Sequence, residues 1–254
     1  MLLAIDMGNT QIEVGILEGE KILLSERMAT DLKKTSTEYA VFLEAIFRLR
    51  GIRPEELEGG IITSVVPPLT FPLKEAVKLA AGFTPLLVEP GVKNGLKICI
   101  DDPKTLGADL VVGAVAAICR YGAPVIIIDM GTATTITCVD EKKQFIGGAI
   151  VPGVNVSLTA LANATSQLPM IGLEKPGKAI GTNTVDCMKS GIIYGQAALL
   201  DGMIGRMEEE LGGEVTVVAT GGLAKVIVPY CRHEIILDNE LMLQGLRIIW
   251  EKNR

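Results

Sequence analysis

The 254-residue chain has one histidine, one tryptophan and only 4% aromatic residues. His233 stands between Arg232 and Glu234 with no serine motif near it, which excludes a Ser-His-Asp hydrolase and reads as a surface position. The cysteines (Cys99, Cys119, Cys138, Cys187 and Cys231) are odd in number, widely spaced and without a C-x-x-C pair. They read as buried reduced thiols of a cytoplasmic protein, neither a disulfide framework nor a zinc site. No apolar run reaches the roughly 18–20 residues of a membrane span. "MLLAIDMGNT" lacks the basic start of a signal peptide and meets Asp6 almost at once, so no membrane partner is expected. Without a secretory signal, the sequons at Asn155 and Asn163 are chance matches. Net charge is −6 with no dense Lys/Arg cluster, so no nucleic-acid partner is expected. An acidic chain still binds nucleotides where backbone N–H groups and Mg²⁺ meet the phosphates.

What is present is an ordinary globular composition, 48% hydrophobic and 21% charged, with 28 glycines. The length fits one large domain or two of about 100–150 residues. The clearest pattern is a repeated turn. "AIDMGNTQIEVGI" at 4–16 is nearly copied by "IIDMGTATTITCV" at 127–139. In each, an apolar strand runs into Asp-Met-Gly, then small polar residues, then a second strand.

The elements around the copies also correspond. Strands are expected at 2–7, 11–17 and 21–28, a helix at 37–50 stopped by Gly51, a strand ended by Pro67-Pro68, a helix at 69–81 and a strand in "TPLLVEP". A helix over 107–120 stops at Gly122. The second half opens with "APVIIIDMG", too uniformly apolar to have a wet face. It continues through two strands, helices at 153–165 and 182–211, the strand "EVTVVAT" and a closing helix near 239–252. Two similar α/β halves follow, divided at 1–120 and 121–254, with no Gly/Ser or Pro-rich linker between them. Halves facing each other would bring both acidic turns to one cleft.

In the first turn Gly8 lets backbone approach a ligand, and Asn9 and Thr10 add polar side chains. Asp6 cannot itself bind phosphate but can hold Mg²⁺ that bridges phosphate oxygens. A hairpin in which Asp6 makes only a turn hydrogen bond would look the same in one copy. The second copy, Asp129-Met130-Gly131-Thr132, favours two turns gripping one polyphosphate, with an old duplication kept for folding as the alternative. Gly221-Gly222, after a strand, permits flat contact with adenine or ribose, or simply a tight turn. "GLEKPGKA" at 172–179 imitates a P-loop, but Ala179 replaces the Mg²⁺-binding Ser or Thr and Pro176 interrupts it. Asp109 opens an apolar helix, where the helix dipole favours an acid; it is also a candidate general base for an alcohol attacking phosphorus. Gly191 and Gly195 share a helix face, which predicts close helix–helix approach, within the chain or across a dimer axis.

Taken in order, "DMGNT" at 6–10, "DDPKTLGAD" at 101–109, "DMGTATT" at 129–135, "GGAIVPGVNVS" at 147–157, "IGTNTVDCMKSG" at 180–191, "TGG" at 220–222 and "LMLQGL" at 241–246 resemble type III pantothenate kinases over nearly the whole chain. The resemblance implies an α/β fold of two ribonuclease H-like, actin-like ATPase halves, each a mixed five-stranded sheet with flanking helices, with an interdomain cleft. It implies ATP-dependent phosphorylation of pantothenate to 4′-phosphopantothenate, the first step towards coenzyme A. ATP would contact Asp6, Met7, Gly8, Asn9, Thr10, Gln11, Ile12, Glu13, Thr132, Gly221 and Gly222. Asp6 would hold Mg²⁺ and Asp129 a monovalent cation, K⁺ or NH₄⁺. Asp109 would be the catalytic base, and Ile100, Gly107, Ala108, Asp109, Leu110 and Thr184 would contact pantothenate. A homodimer is implied as well. Two positions depart from the family pattern: Leu110 stands where Arg is usual, and Ile100 where Tyr is usual. Loss of that Arg would remove a charge-assisted bond to the pantothenate carboxylate, about 1.5–3 kcal/mol. Lys97 and Lys104 are candidate replacements. A kinase of a different small alcohol, or a non-catalytic binding or regulatory paralogue, is the alternative these departures leave open.

Overall fold

In the computed structural model, which describes residues 1–254, the first apolar run forms β1 (Leu2–Met7), buried along its length except at half-buried Asp6. β2 (Gln11–Glu18) returns antiparallel, and β3 (Lys21–Ala29) follows as a more exposed edge strand. α1 (Ser36–Arg50) starts at a capping box: Thr35 accepts from the Glu38 N–H, and the Glu38 carboxylate accepts from the Thr35 N–H at 2.8 Å. Gly51 ends it at φ 68°, a conformation that favours glycine. β4 (Gly59–Ser64) lies parallel to β1, and α2 (Pro67–Ala81) begins on two prolines whose missing N–H groups cost nothing in a first turn. β5 (Leu86–Leu87) is shorter than the expected strand because Pro85 and Pro90 bracket it. β6 (Lys97–Ile98) and α3 (Ala108–Tyr121) follow.

The second series repeats the first. β7 (Val125–Met130) has the burial pattern of β1, with Asp129 at the position of Asp6. β8 (Ala133–Val139) and β9 (Gln144–Pro152) pair antiparallel in turn. α4 (Val154–Asn163) and α5 (Thr184–Leu211) lead to β10 (Thr216–Thr220), which lies parallel to β7. The short α6 (Ala224–Ile227), β11 (Ile236–Leu237) and α7 (Leu241–Asn253) complete the chain. No helix is long and apolar enough to cross a membrane.

Two compact units result. One comprises Met1–Leu96, Asp102–Ala116 and Glu240–Arg254; the other comprises Lys97–Asp101 and Ala117–Asn239. The sheet of the first unit has the order β3-β2-β1-β4-β5, five strands as expected. That of the second has six, β11-β10-β7-β8-β9-β6, because Lys97–Ile98 adds in parallel to the outer edge of β9. The units also depart from a cut at residue 120, since α7 belongs with the first sheet. It packs there through paired small and large residues. A Cβ on Gly15 would lie 2.7 Å from Leu243 Cδ1, Gly59 leaves room for the Trp250 ring, and Gly245 abuts the Val112 carbonyl. Buried Gln244 fixes the register by donating to the Glu20 carbonyl at 2.7 Å.

Each sheet has its own core. Leu3, Ile5, Met7, Tyr39, Leu43 and Leu73 belong to the first, and Ile126, Ile128, Met130, Leu158, Ile193 and Leu200 to the second. Three sequence expectations are corrected here. Cys99, Cys119 and Cys187 are exposed; only Cys138 is buried, and burial pushes its thiol up to about 11. His233 is not a plain surface residue: it is half-buried, and its Nδ1 lies 3.0 Å from Asp201 Oδ1, tying the segment before β11 to α5. Within the chain no helix meets Gly191 or Gly195, for a Cβ at either would find nothing within 4 Å.

Candidate active site

In the first unit the acidic turn lies at the C-terminal end of β1, beside the same end of parallel β4. Asp6 is the register partner of Thr63 on one side and Glu13 on the other. Open α/β sheets bind ligands at this end of their strands. Gly8 N–H donates to the Gln11 carbonyl at 3.0 Å and closes the turn. Thr30 braces it from the end of β3: its hydroxyl donates to the Gly8 carbonyl at 2.7 Å and its N–H to the Thr10 carbonyl at 2.9 Å. Sequence reasoning misses Thr30, because only the pairing of β3 with β2 carries it there. Asn9, Thr10 and Gln11 are exposed, whereas Met7 and Ile12 are fully buried in the core and can offer a ligand only main-chain atoms. Glu13 is half-buried, accepting from Ser25 Oγ at 2.6 Å and pairing with Arg27 at 3.2 Å.

The same unit holds Gly107–Leu110 at the head of α3. Asp109 lies in its first turn, half-buried, with Oδ1 accepting from the Leu110 N–H at 2.8 Å. Burial raises its carboxyl above the ordinary carboxylate value, opposed in part by the N–H groups of Leu110 and Asp109 itself. A raised carboxyl is a better proton acceptor once ionised.

In the second unit Asp129 is the penultimate residue of β7, paired with Thr220 of parallel β10. The turn between β7 and β8, Gly131-Thr132, is one residue shorter than its counterpart Gly8-Asn9-Thr10. Gly131 N–H donates to the Ala133 carbonyl at 3.0 Å, and both turn residues are exposed. Two glycines close on this turn. Gly153, at the head of α4, donates to the Thr132 carbonyl at 3.2 Å, and a Cβ on it would overlap that oxygen and lie 2.6 Å from the Gly131 carbonyl oxygen. Gly221, at φ 92°, would place a Cβ 2.6 Å from Asp129 Oδ1. Gly221 is expected from the sequence, but Gly153 is not. Its signal is the Pro-Gly that separates β9 from α4.

Thr184 is the first residue of α5, capped by Asn183, whose Oδ1 accepts from the Asp186 N–H at 3.0 Å. It opens onto a groove of about 740 Å³, lined also by Leu161, Leu168, Cys187, Met188 and Ile192. Ile100 is half-buried just beyond β6, with Cγ2 3.9 Å from a Cβ built on Gly147. Exposed Gly222 directly follows Gly221. The fold thus gathers residues 6–13 into one patch and Asp129, Thr132 and Gly221 into another, while Thr184 belongs to the groove.

No group of three or more His, Cys, Asp or Glu side chains could hold a metal ion unaided. Mg²⁺ at nucleotide sites takes one or two carboxylates and completes its shell with phosphate and water. Asp6 offers such a carboxylate. Asp129 and the Gly131 and Thr132 carbonyls, crowded against side-chain-free Gly153, offer oxygens of the kind a monovalent cation takes.

The sequence model of the family described as type III pantothenate kinase matches residues 2–206. The type III pantothenate kinase of Halalkalibacterium halodurans is 44% identical over 253 residues, covering 100% of both chains. That of Exiguobacterium sibiricum is 44% identical over 254 residues, again covering 100% of both. Among solved structures, (R)-2-hydroxyglutaryl-CoA dehydratase component A of Acidaminococcus fermentans aligns at a TM-score of 0.58 and 16% identity, covering 100% of this chain and 99% of that one. That likeness carries the fold, which is the actin-like ATPase and sugar kinase fold.

Proposed function

The chain belongs to the type III pantothenate kinase family and phosphorylates pantothenate in coenzyme A biosynthesis, and from that premise we propose how its residues divide the reaction. Asp109 takes the proton of the pantothenate primary alcohol as its oxygen attacks the γ-phosphorus of ATP. The bond from that phosphorus to the β–γ bridging oxygen breaks, ADP leaves, and 4′-phosphopantothenate is the product. The observation that carries this assignment is the half-burial of Asp109 at the head of α3, which raises its carboxyl towards the range a general base uses.

The turn from Asp6 to Glu13 cradles the phosphates, with Met7 and Ile12 contributing main chain alone. Thr132 adds a hydroxyl, and Gly221 and Gly222 leave a flat surface for the adenosine. Asp6 would hold Mg²⁺, which when bound neutralises phosphate charge. Asp129 would hold K⁺ or NH₄⁺. Gly107–Leu110, Ile100 and Thr184 orient pantothenate. Most of the acceleration comes from this positioning, as is usual in phosphoryl transfer.

A homodimer in the cytoplasm is part of the same reading. Leu161, Met170, Ile180 and Val185 are exposed apolar side chains, the last three 61%, 80% and 39% accessible, and Gly191 and Gly195 of α5 are exposed as well. Gly191 and Gly195 each cost a helix about 0.8–1.0 kcal/mol against alanine, and a Cβ at either would meet nothing within 4 Å inside the chain.

The deciding experiment is ADP release from ATP and Mg²⁺, with and without pantothenate. Pantothenate-stimulated release supports the reading. Release only with other alcohols moves the substrate, and no release under any condition removes the catalytic role. A separate expectation concerns Asp129: turnover rises when K⁺ or NH₄⁺ replaces Na⁺. Equal rates in all three salts would take the cation role away from it.

A further inference from the structure

Gly107 sits one residue ahead of α3, and its missing side chain has one steric reason. A Cβ built there would overlap Oδ1 of Asp109, whereas the next atoms, Asp109 Cγ at 3.6 Å and Leu110 Cγ at 3.8 Å, are in ordinary contact. Its backbone is not left-handed, so glycine is not required for conformation. The carboxylate that occupies the space is the one held on the Leu110 N–H at 2.8 Å.

We propose that Gly107 is a positioning residue for phosphoryl transfer: its bare Cα lets the Asp109 carboxylate fold back onto the Leu110 N–H, which fixes the direction of the oxygen that receives the proton. The inference rests on the reading of Asp109 as the base. A side chain at 107 would turn the carboxylate out of this seat. Misplacement of a reacting group by about 1 Å can cost on the order of 10²-fold in rate, so the effect falls on the chemical step and not on nucleotide affinity.

The test is Gly107→Ala in the full chain. The expected result is a kcat lowered about tenfold or more, with KM for ATP unchanged. The Leu110 amide proton, followed by ¹⁵N-correlated NMR, should shift upfield as its charge-assisted bond is lost. Introduced into Asp109→Ala, where neither clash nor base remains, the same change should lower kcat by a much smaller factor than it does in the wild type. Should Gly107→Ala destabilise the wild-type chain, its thermal midpoint should recover in the Asp109→Ala background. An equal loss of kcat or stability in both backgrounds, or an unmoved Leu110 amide, would overturn the proposal. Failure of the base assignment is seen separately: Asp109→Ala alone would then keep its turnover, and the Leu110 amide would still report the seat of the carboxylate.

Discussion

Replacing Asp109 with asparagine is expected to lower pantothenate-dependent ADP release by about 10²–10⁴-fold, the range over which a positioned general base contributes. Asparagine keeps the size of the side chain and an oxygen able to accept from the Leu110 N–H, now made at 2.8 Å. What it loses is the capacity to take a proton. The loss should fall at the lower end of that range, because phosphoryl transfer depends more on alignment and charge stabilisation than on proton removal. ATP affinity, measured by calorimetric titration, should stay within a few-fold of wild type, since the phosphates are assigned to the turn at Asp6–Glu13. Unchanged turnover in this variant would refute the base assignment. Lost turnover accompanied by lost ATP binding would point instead to damage at the head of α3.

Gly221→Ala should have the second largest effect, on stability and turnover together. The residue is at φ 92°, where an L side chain is strained, and a Cβ would lie 2.6 Å from Asp129 Oδ1 and 2.7 Å from the main-chain N and C of Met130. Backbone at the end of a central strand cannot yield as a flexible side chain can. Strain of about 1–3 kcal/mol and a similar cost for overpacking together lower Tm by roughly 5–20 °C. Any K⁺ stimulation should weaken, because the Asp129 carboxylate must move aside. Gly131→Ala is the control: its nearest neighbours would be the Ala133 carbonyl oxygen at 3.6 Å and Asp129 Oδ1 at 3.9 Å, both ordinary contacts. Thermal denaturation of the pair, with rates in K⁺ and Na⁺, separates the outcomes. Equal Tm in Gly221→Ala and wild type would mean that β7 and the β10 turn are not locked together there.

Local pattern made much of this legible in the sequence. The duplicated Asp-Met-Gly turn marked equivalent strand ends in two sheets, and the uniform apolarity of "APVIIIDMG" identified the central strand of the second. The Asp109 helix and the Gly51 stop followed from local stop and break signals, whereas Pro67-Pro68, expected to end the strand before α2, open the helix itself. Long-range pairing was not legible. α7 follows the second series in the chain yet packs on the first sheet, because the glycines that receive it, Gly15 and Gly59, lie far away in sequence. β6 is two residues long, too short for any periodicity, and exists only because the edge of β9 is there to pair with it. At the site, Thr30 and Gly153 act through main-chain geometry that no spacing rule encodes. Three exposed cysteines defied the general tendency of free thiols to be buried.

The pH dependence of kcat/KM for pantothenate, in wild type and in Asp109→Asn, bears most directly on the chemistry proposed. The ionised carboxylate is the active form, and burial raises its carboxyl above the ordinary value of 3.8. The wild-type rate should therefore climb with pH through a limb whose midpoint lies above 3.8, and that limb should be missing from the residual rate of the variant. The same limb at the same pH in both proteins would show that a different group receives the proton.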